Sequence, residues 1–331
     1  MGMGASSMKK FQIVYDLNQY SAVLTPIEEE MIRRGWTIVR GTPNEYNTDS
    51  EVRGTIACQS GPWVQEKPFF APSFLTFHGV SIIKRWARYY RDWSYVIVPS
   101  RFWENAMNAH AGDGVAEVLG IGWSKADVLI NNRRSKGAFR NAICERHGLG
   151  QKPIVLFAPT YSRQGSEQLP GTADKVEEVV EALSDCNVLF LPHEMCEHKD
   201  RFKEYPLRVA PGYGRKHEYL LGCDLLIGDN SSMVFEAALL DRPIVLLNRT
   251  EYPTYLNVAK ADESDAFGGE LVDVGDIVDD LSDLREVVLE NLENPGRWRD
   301  RRKYWANRVL GYCDGHSTEK IVDKIEEVVG E

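Results

Sequence analysis

The sequence predicts an α/β protein made of two consecutive doubly wound domains, and three observations carry that prediction. Short apolar runs alternate with helical patterns from Phe11 to His147. The stretch His147-Gly148-Leu149-Gly150-Gln151-Lys152-Pro153, rich in helix-stop and turn signals, then interrupts the pattern. The same alternation restarts at Ile154. Short buried strands alternating with helices build a mostly parallel sheet covered on both faces. The expected division is a first domain over residues 8–150, a second over 151–296, and C-terminal helices over 297–331. The last of these helices is expected to cross back to the first domain. Two such halves imply a cleft between them, a preferred ligand position.

In the first half the strand candidates are Phe11–Tyr15, Thr37–Val39, Thr55–Cys58, Phe74–Phe77, Tyr95–Val98 and Ala116–Leu119. Helical patterns cover Pro26–Arg34, Arg101–Ala109 and Lys136–His147, the last stopped by Gly148. In the second half the strand candidates are Ile154–Ala158, Val188–Leu191, Leu225–Ile227, Ile244–Leu247 and Leu271–Val274. Its helical patterns are Ala173–Leu183, His217–Gly222, Ser231–Leu240 and Ile277–Asn291.

Bulk properties narrow the function. No apolar run approaches the roughly 20 residues that span a bilayer, and no signal peptide is visible. Six cysteines without regular spacing suggest reduced thiols in a cytoplasmic setting. The Met1-Gly2-Met3-Gly4-Ala5-Ser6 start matches a myristoylation pattern, but a leader ahead of a natural start at Met8 explains the same letters more simply. The net charge of −10 is uneven. Residues 1–150 carry 18 basic against 14 acidic side chains, and the remainder carries 21 against 35. The basic first half suits an anionic acceptor or a membrane surface, while the acidic whole argues against nucleic acid as a partner.

The densest signal runs from Cys223 to Arg249. Leu225-Leu226-Ile227 ends in Gly228-Asp229-Asn230-Ser231-Ser232, a helical pattern follows, and Pro243–Leu247 returns as a strand. This is one βαβ unit, and its polar turn falls where an open α/β sheet binds ligands. Ser231 and Ser232 open the helix, either as ordinary caps or as phosphate ligands. Glu236 lies one helical turn further in.

Other polar residues also end predicted strands. His78 follows Phe74–Phe77 and is followed by Gly79, which suits either a general base at the cleft or a structural turn histidine. Lys84 and Arg85 are candidates for neutralising an acceptor phosphate, or else belong to a solvated helix face. Ala158-Pro159-Thr160-Tyr161-Ser162-Arg163 offers a hydroxyl and a guanidinium apt for a diphosphate. His193, after Val188–Leu191, is placed to donate a hydrogen bond to a leaving phosphate. His193, Cys196 and His198 lack a second ligand pair at zinc spacing, so no metal is expected there. Asp-x-Asp, G-x-S-x-G, a Walker A loop and a G-x-G-x-x-G after the first strand are all absent, which argues against a serine hydrolase, a P-loop NTPase and a dehydrogenase.

Taken together, these segments resemble the CDP-glycerol glycerophosphotransferases, the teichoic-acid primases and polymerases of GT-B fold. The similar pieces are His78-Gly79 with nearby Lys84, Gly122-Trp123-Ser124-Lys125-Ala126-Asp127-Val128-Leu129, and Ala158 to Arg163. Asp229-Asn230-Ser231-Ser232 with Phe235-Glu236, and Tyr312-Cys313-Asp314-Gly315-His316-Ser317, complete the ordered set. Glu236 stands where the family has Asp, and Asn230 where it has Tyr. The resemblance implies a metal-independent GT-B transferase that needs no cofactor. Its donor would be a nucleotide-activated small molecule, CDP-glycerol or a related CDP-alditol. The acceptor would be an anionic or lipid-linked polymer, teichoic-acid-like or capsular, at the inner face of the cell membrane. His78 and His193 would be catalytic. Thr160, Arg163, Ser231 and Ser232 would bind the donor phosphates, Glu236 the ribose, and Lys84 and Arg85 the acceptor phosphate. A glycosyltransferase or UDP-GlcNAc 2-epimerase-like enzyme using a nucleotide sugar, and a non-catalytic nucleotide-binding relative, are the alternatives. Arg297, Trp298, Arg299, Arg301, Arg302, Lys303, Tyr304 and Trp305 form a basic-aromatic cluster suited either to peripheral membrane contact or to a charged helix that packs its tryptophans between the domains.

Overall fold

The computed structural model describes residues 9–15, 21–41, 49, 51–59, 72–80, 93–111, 117–160, 172–193, 215–229, 231–248 and 272–330. The chain divides into two compact units, Met1–Val128 with Arg308–Glu331, and Leu129–Asn307.

The first unit carries six parallel strands, β1 (Lys10–Val14), β2 (Thr37–Gly41), β3 (Val52–Gln59), β4 (Ser73–Phe77), β5 (Tyr95–Ile97) and β6 (Glu117–Leu119). Their order in the sheet is β2-β1-β3-β4-β5-β6. All five residues of β4 are buried, as a central strand covered on both faces requires. The helices of this part of the chain are α1 (Ser21–Arg33), α2 (Arg101–Ala111) and α3 (Ser124–Asn132). Helix α1 begins five residues before the expected start, so Pro26 lies inside it rather than at its first turn. Val23, Leu24, Ile27 and Met31 supply its buried stripe, and that packing outweighs the proline's missing N–H.

The second unit holds β7 (Ile154–Phe157), β8 (Asn187–Phe190), β9 (Leu225–Gly228), β10 (Ile244–Leu247) and β11 (Asp276–Val278), all parallel, in the order β11-β10-β9-β7-β8. Every residue of β7, β9 and β10 is buried. Helices α4 (Lys136–His147), α5 (Val176–Ala182), α6 (Lys216–Gly222), α7 (Met233–Leu239), α8 (Leu284–Glu293) and α9 (Arg299–Leu310) follow in the chain, before α10 (Ser317–Val329). Gly148, at φ 63°, ends α4 where the sequence placed its stop. Helix α4 lies with the second unit and packs on α6. Gly222 has no room for a Cβ, which would come within 2.9 Å of the Arg140 nitrogen.

One expected strand is corrected. Val272 and Val274 are fully buried, yet the strand that pairs with β10 is Asp276–Val278, a stretch the sequence assigned to a helix start. Gly275 lies against β10 just ahead of the paired residues, where a Cβ would sit 1.9 Å from the Ile244 carbonyl oxygen, so only glycine fits this approach. The helix signal belongs to Asp280, whose carboxylate accepts the Ser282 N–H at 2.9 Å and opens the turn leading into α8.

The basic-aromatic cluster is used inside the second unit. Arg301 and the Trp305 indole bond Asp273, and the Trp298 indole donates to Asp276 at 3.0 Å. Arg297 pairs with Asp276 and Glu290, and Arg299 with Asp241. Arg302, 1% exposed, also bonds Asp241. The Trp298 and Trp305 indoles thus bond within the second unit, where the sequence reading has them between the domains. Among the described residues no helix is long and apolar enough to cross a membrane.

Candidate functional site

Strand order alone marks a site in the second unit. Strands β7 and β9 are neighbours, but β7 leads on to β8 on one side while β9 leads on to β10 on the other. That is the switch point of a doubly wound sheet, where ligands bind beyond the carboxyl ends of the strands. Thr160 lies three residues past β7, and Asp229 immediately follows β9. Ser231 and Ser232 come next and lead into α7, while His193 lies three residues past β8. The edge thus gathers Thr160, His193, Ser231 and Ser232, as expected. Arg163 lies outside the described residues.

Asp229 organises this edge. Its carboxylate, 1% exposed, accepts the Thr160 N–H at 2.8 Å, and both the N–H and the hydroxyl of Thr172 at 3.0 Å. The chain therefore leaves β7 and returns towards α5 through two threonines fastened to one carboxylate. The sequence reading quoted Asp229 but gave it no role. An acid directly after a buried strand, one residue from Ser231-Ser232, was the available signal.

The Ser231 hydroxyl accepts the Met233 N–H at 3.3 Å in a local turn just ahead of α7, which leaves its own O–H able to donate. The helix is two residues shorter at its start than the pattern implied, because Ser231 and Ser232 stand ahead of it. Among the described residues the hydroxyls of Thr160 and Ser232 take no hydrogen-bond partner.

Glu236, one turn into α7, is 1% exposed. Its Oε2 lies 3.6 Å from Nε2 of His217 on α6, itself 5% exposed. The sequence reading named Glu236 and missed His217, whose place on a predicted helix gave no hint of a partner 19 residues away.

In the first unit His78 directly follows β4 and is half-buried. The backbone carbonyl just before it, that of Phe77, accepts the Trp123 indole N–H at 2.8 Å. Trp123 belongs to the stretch Gly122–Leu129, and the same stretch holds the C-terminal motif. Asp127 accepts the N–H of Ser317 at 3.0 Å, and the N–H and hydroxyl of Thr318 at 2.6 and 2.7 Å, so it caps α10. Gly122 at φ 123° admits Ser317, whose Cβ would stand 2.6 Å from any Cβ added there. Two motifs almost 200 residues apart are therefore one contact. Lys84, Arg85, Cys196 and His198 lie outside the described residues. Among the described residues no three His, Cys, Asp or Glu side chains come together as a metal site.

Comparison with known proteins agrees with this geometry. The model of the family described as CDP-Glycerol:Poly(glycerophosphate) glycerophosphotransferase matches residues 75–327. The teichoic acid glycerol-phosphate primase of Bacillus subtilis is 25% identical over 253 residues, which cover 75% of this chain and 61% of the primase. The teichoic acid poly(ribitol-phosphate) polymerase of Bacillus spizizenii is 23% identical over 252 residues, 71% of this chain and 38% of that protein. The chain thus spans less than two thirds of the length of these relatives. Among solved structures, the wall teichoic acid polymerase TagF superposes with a TM-score of 0.72 at 17% identity, over 98% of this chain and 90% of that one. The UDP-GlcNAc 2-epimerase of Neisseria meningitidis superposes at 0.61 with 10% identity, over 96% and 100% of the two chains. The fold is α/β and GT-B-like. With its family match running from β4 to the last helix, the chain belongs to the CDP-glycerol:poly(glycerophosphate) glycerophosphotransferase family.

Proposed function

We propose that this chain transfers glycerol phosphate, or a related alditol phosphate, from a CDP-alditol to an acceptor hydroxyl during synthesis of a teichoic-acid-like or capsular polymer. The observation that carries this reading is the Asp229-fastened edge of the second sheet, in a chain of this family, with Thr160 and Ser232 only partly buried beside it. The polymerase TagF, which shares the fold, has been soaked with CDPG.

The acceptor oxygen attacks the β-phosphorus of the donor. The bond from that phosphorus to the bridging oxygen breaks, and CMP departs with the oxygen while a phosphodiester forms. The acceptor's proton goes to His78, the general base. Thr160, Ser231, Ser232 and Arg163 hold the two phosphates through donated hydrogen bonds, and His193 donates to the leaving CMP phosphate. Glu236 accepts from the ribose hydroxyls, and Lys84 and Arg85 attract an anionic acceptor. No metal is required, since Arg163, the hydroxyls and backbone N–H groups compensate the charge. The acceptor is an anionic or lipid-linked polymer presented at the cytoplasmic face of the membrane.

Replacing His78 with Ala tests the base assignment. Transfer from CDP-glycerol is lost while CMP still raises the variant's thermal midpoint, because binding to the folded state is unaffected. Intact turnover in that variant would remove His78 from the mechanism.

A further inference from the structure

We propose that Trp123 is the positioning residue for His78, an inference that rests on His78 being the general base. The Phe77 carbonyl is the last backbone acceptor before His78, and it takes its hydrogen bond from the Trp123 indole at 2.8 Å. Both side chains are buried, Trp123 at 1% and Phe77 at 4% exposure. The indole is itself held from several directions. Ser124, next in the chain, donates its hydroxyl to the Val23 carbonyl of α1 at 2.6 Å, and Asp127 is fixed to the start of α10. Lys125, 3% exposed, places its Nζ 4.8 Å from the Trp123 ring centroid.

A rigid donor on a buried carbonyl fixes the peptide plane from which His78 departs. Packing alone does not require this donor, because a phenyl ring also fills an apolar site. Removing it leaves the Phe77 carbonyl without the indole and frees the end of β4 just where the imidazole must meet an acceptor hydroxyl. Displacing a reacting group by about 1 Å costs on the order of 100-fold in rate. Donor affinity belongs to residues of the other unit and stays unchanged.

The test compares the wild-type chain, Trp123→Phe and His78→Ala. Turnover of CDP-glycerol on a glycerol-phosphate-primed acceptor is followed together with NMR of ring-labelled histidine. Trp123→Phe is expected to lower kcat by about 10- to 100-fold and to leave KM for CDP-glycerol within about twofold. The His78 ring signal, assigned by its absence in His78→Ala, moves in the same variant. A kcat within about twofold of wild type overturns the proposal, as does a kcat loss with the His78 signal unmoved or with KM raised in parallel. Full turnover in His78→Ala removes the base reading and leaves Trp123 nothing to position. Loss in His78→Ala without loss in Trp123→Phe overturns the positioning alone. Should Trp123→Phe fail to fold, Trp123→Met, which fills the apolar site and carries no N–H or O–H donor in its side chain, carries the same comparison.

Discussion

The Asp229 carboxylate accepts the Thr160 N–H at 2.8 Å, tying the carboxyl end of β9 to that of β7 across the switch point. With Thr172 on the same carboxylate, both ends of the segment containing Arg163 hang on one buried side chain. Asp229→Ala strands three donors, two of them buried, at about 1–3 kcal/mol for each that finds no water. Urea unfolding should show a loss of about 2–4 kcal/mol, and KM for CDP-glycerol should rise at least about tenfold as Thr160 shifts. Unchanged stability and KM would remove Asp229 from the site's framework.

Glu236 and His217 form a buried pair, 3.6 Å apart, one turn behind the two serines. Glu236→Gln keeps the shape and removes the carboxylate charge that the proposed contact with the ribose hydroxyls uses. Titration calorimetry should give CMP binding weaker by about tenfold, the worth of roughly one charge-assisted hydrogen bond. Equal affinity would place Glu236 in structure only.

A third prediction concerns stability away from the site. Asp241 holds a left-handed backbone at φ 52° beyond α7, and its carboxylate bonds the buried Arg302 and the exposed Arg299. Asp241→Ala leaves Arg302 with the Pro295 carbonyl. It also places Cβ-bearing alanine in a backbone region that Asp tolerates better. Because Asp241 is 42% exposed, water screens part of the loss, and about 1–3 kcal/mol is expected in urea unfolding. Asp241→Asn, which retains the backbone preference, should lose less. Equal losses in the two variants would rule out the backbone component.

Acid should weaken the first unit. The Arg33 hydrogen bond, with that from Arg34 and against desolvation, lowers the Glu30 carboxyl from 4.5 to about 2. A depressed folded-state value means the contribution is complete above the unfolded value near 4.5 and is lost as pH falls towards 2. Glu326, bonded by Trp36 and Arg34, is also lowered despite its burial, and so adds in the same direction. Stability measured between pH 6 and pH 3 should therefore fall less steeply in Glu30→Gln than in the wild type. An identical slope would show that this carboxylate carries no pH-linked stability.

Much of this was legible in the sequence because parallel strands announce themselves. Ile154–Phe157 and Ile244–Leu247 are apolar throughout, and Phe74–Phe77 but for Thr76, as burial on both faces favours. The carboxyl-edge residues were legible for the same reason, since Thr160, His193 and Ser231 each stand three residues past such a strand. What the pattern hid was pairing over distance. Val272 and Val274 look like a strand because they are buried, but burial does not determine which backbone pairs with β10, and the close approach at Gly275 leaves no apolar signal. Nor does any local rule connect Glu236 to His217, Trp123 to the Phe77 carbonyl, or Asp127 to Ser317. The partners of the basic-aromatic stretch 297–305 are hidden likewise, because the aspartates that bond its arginines, at 241, 273 and 276, stand elsewhere in the chain.

The central claim is tested most directly by incubating the chain with CDP-glycerol and a glycerol-phosphate-primed acceptor in the presence of EDTA, then measuring CMP and new phosphodiester together. Equal amounts of the two, undiminished by the chelator, are predicted. No CMP from CDP-glycerol under any condition, with consumption of a UDP-sugar by the same preparation, would contradict it.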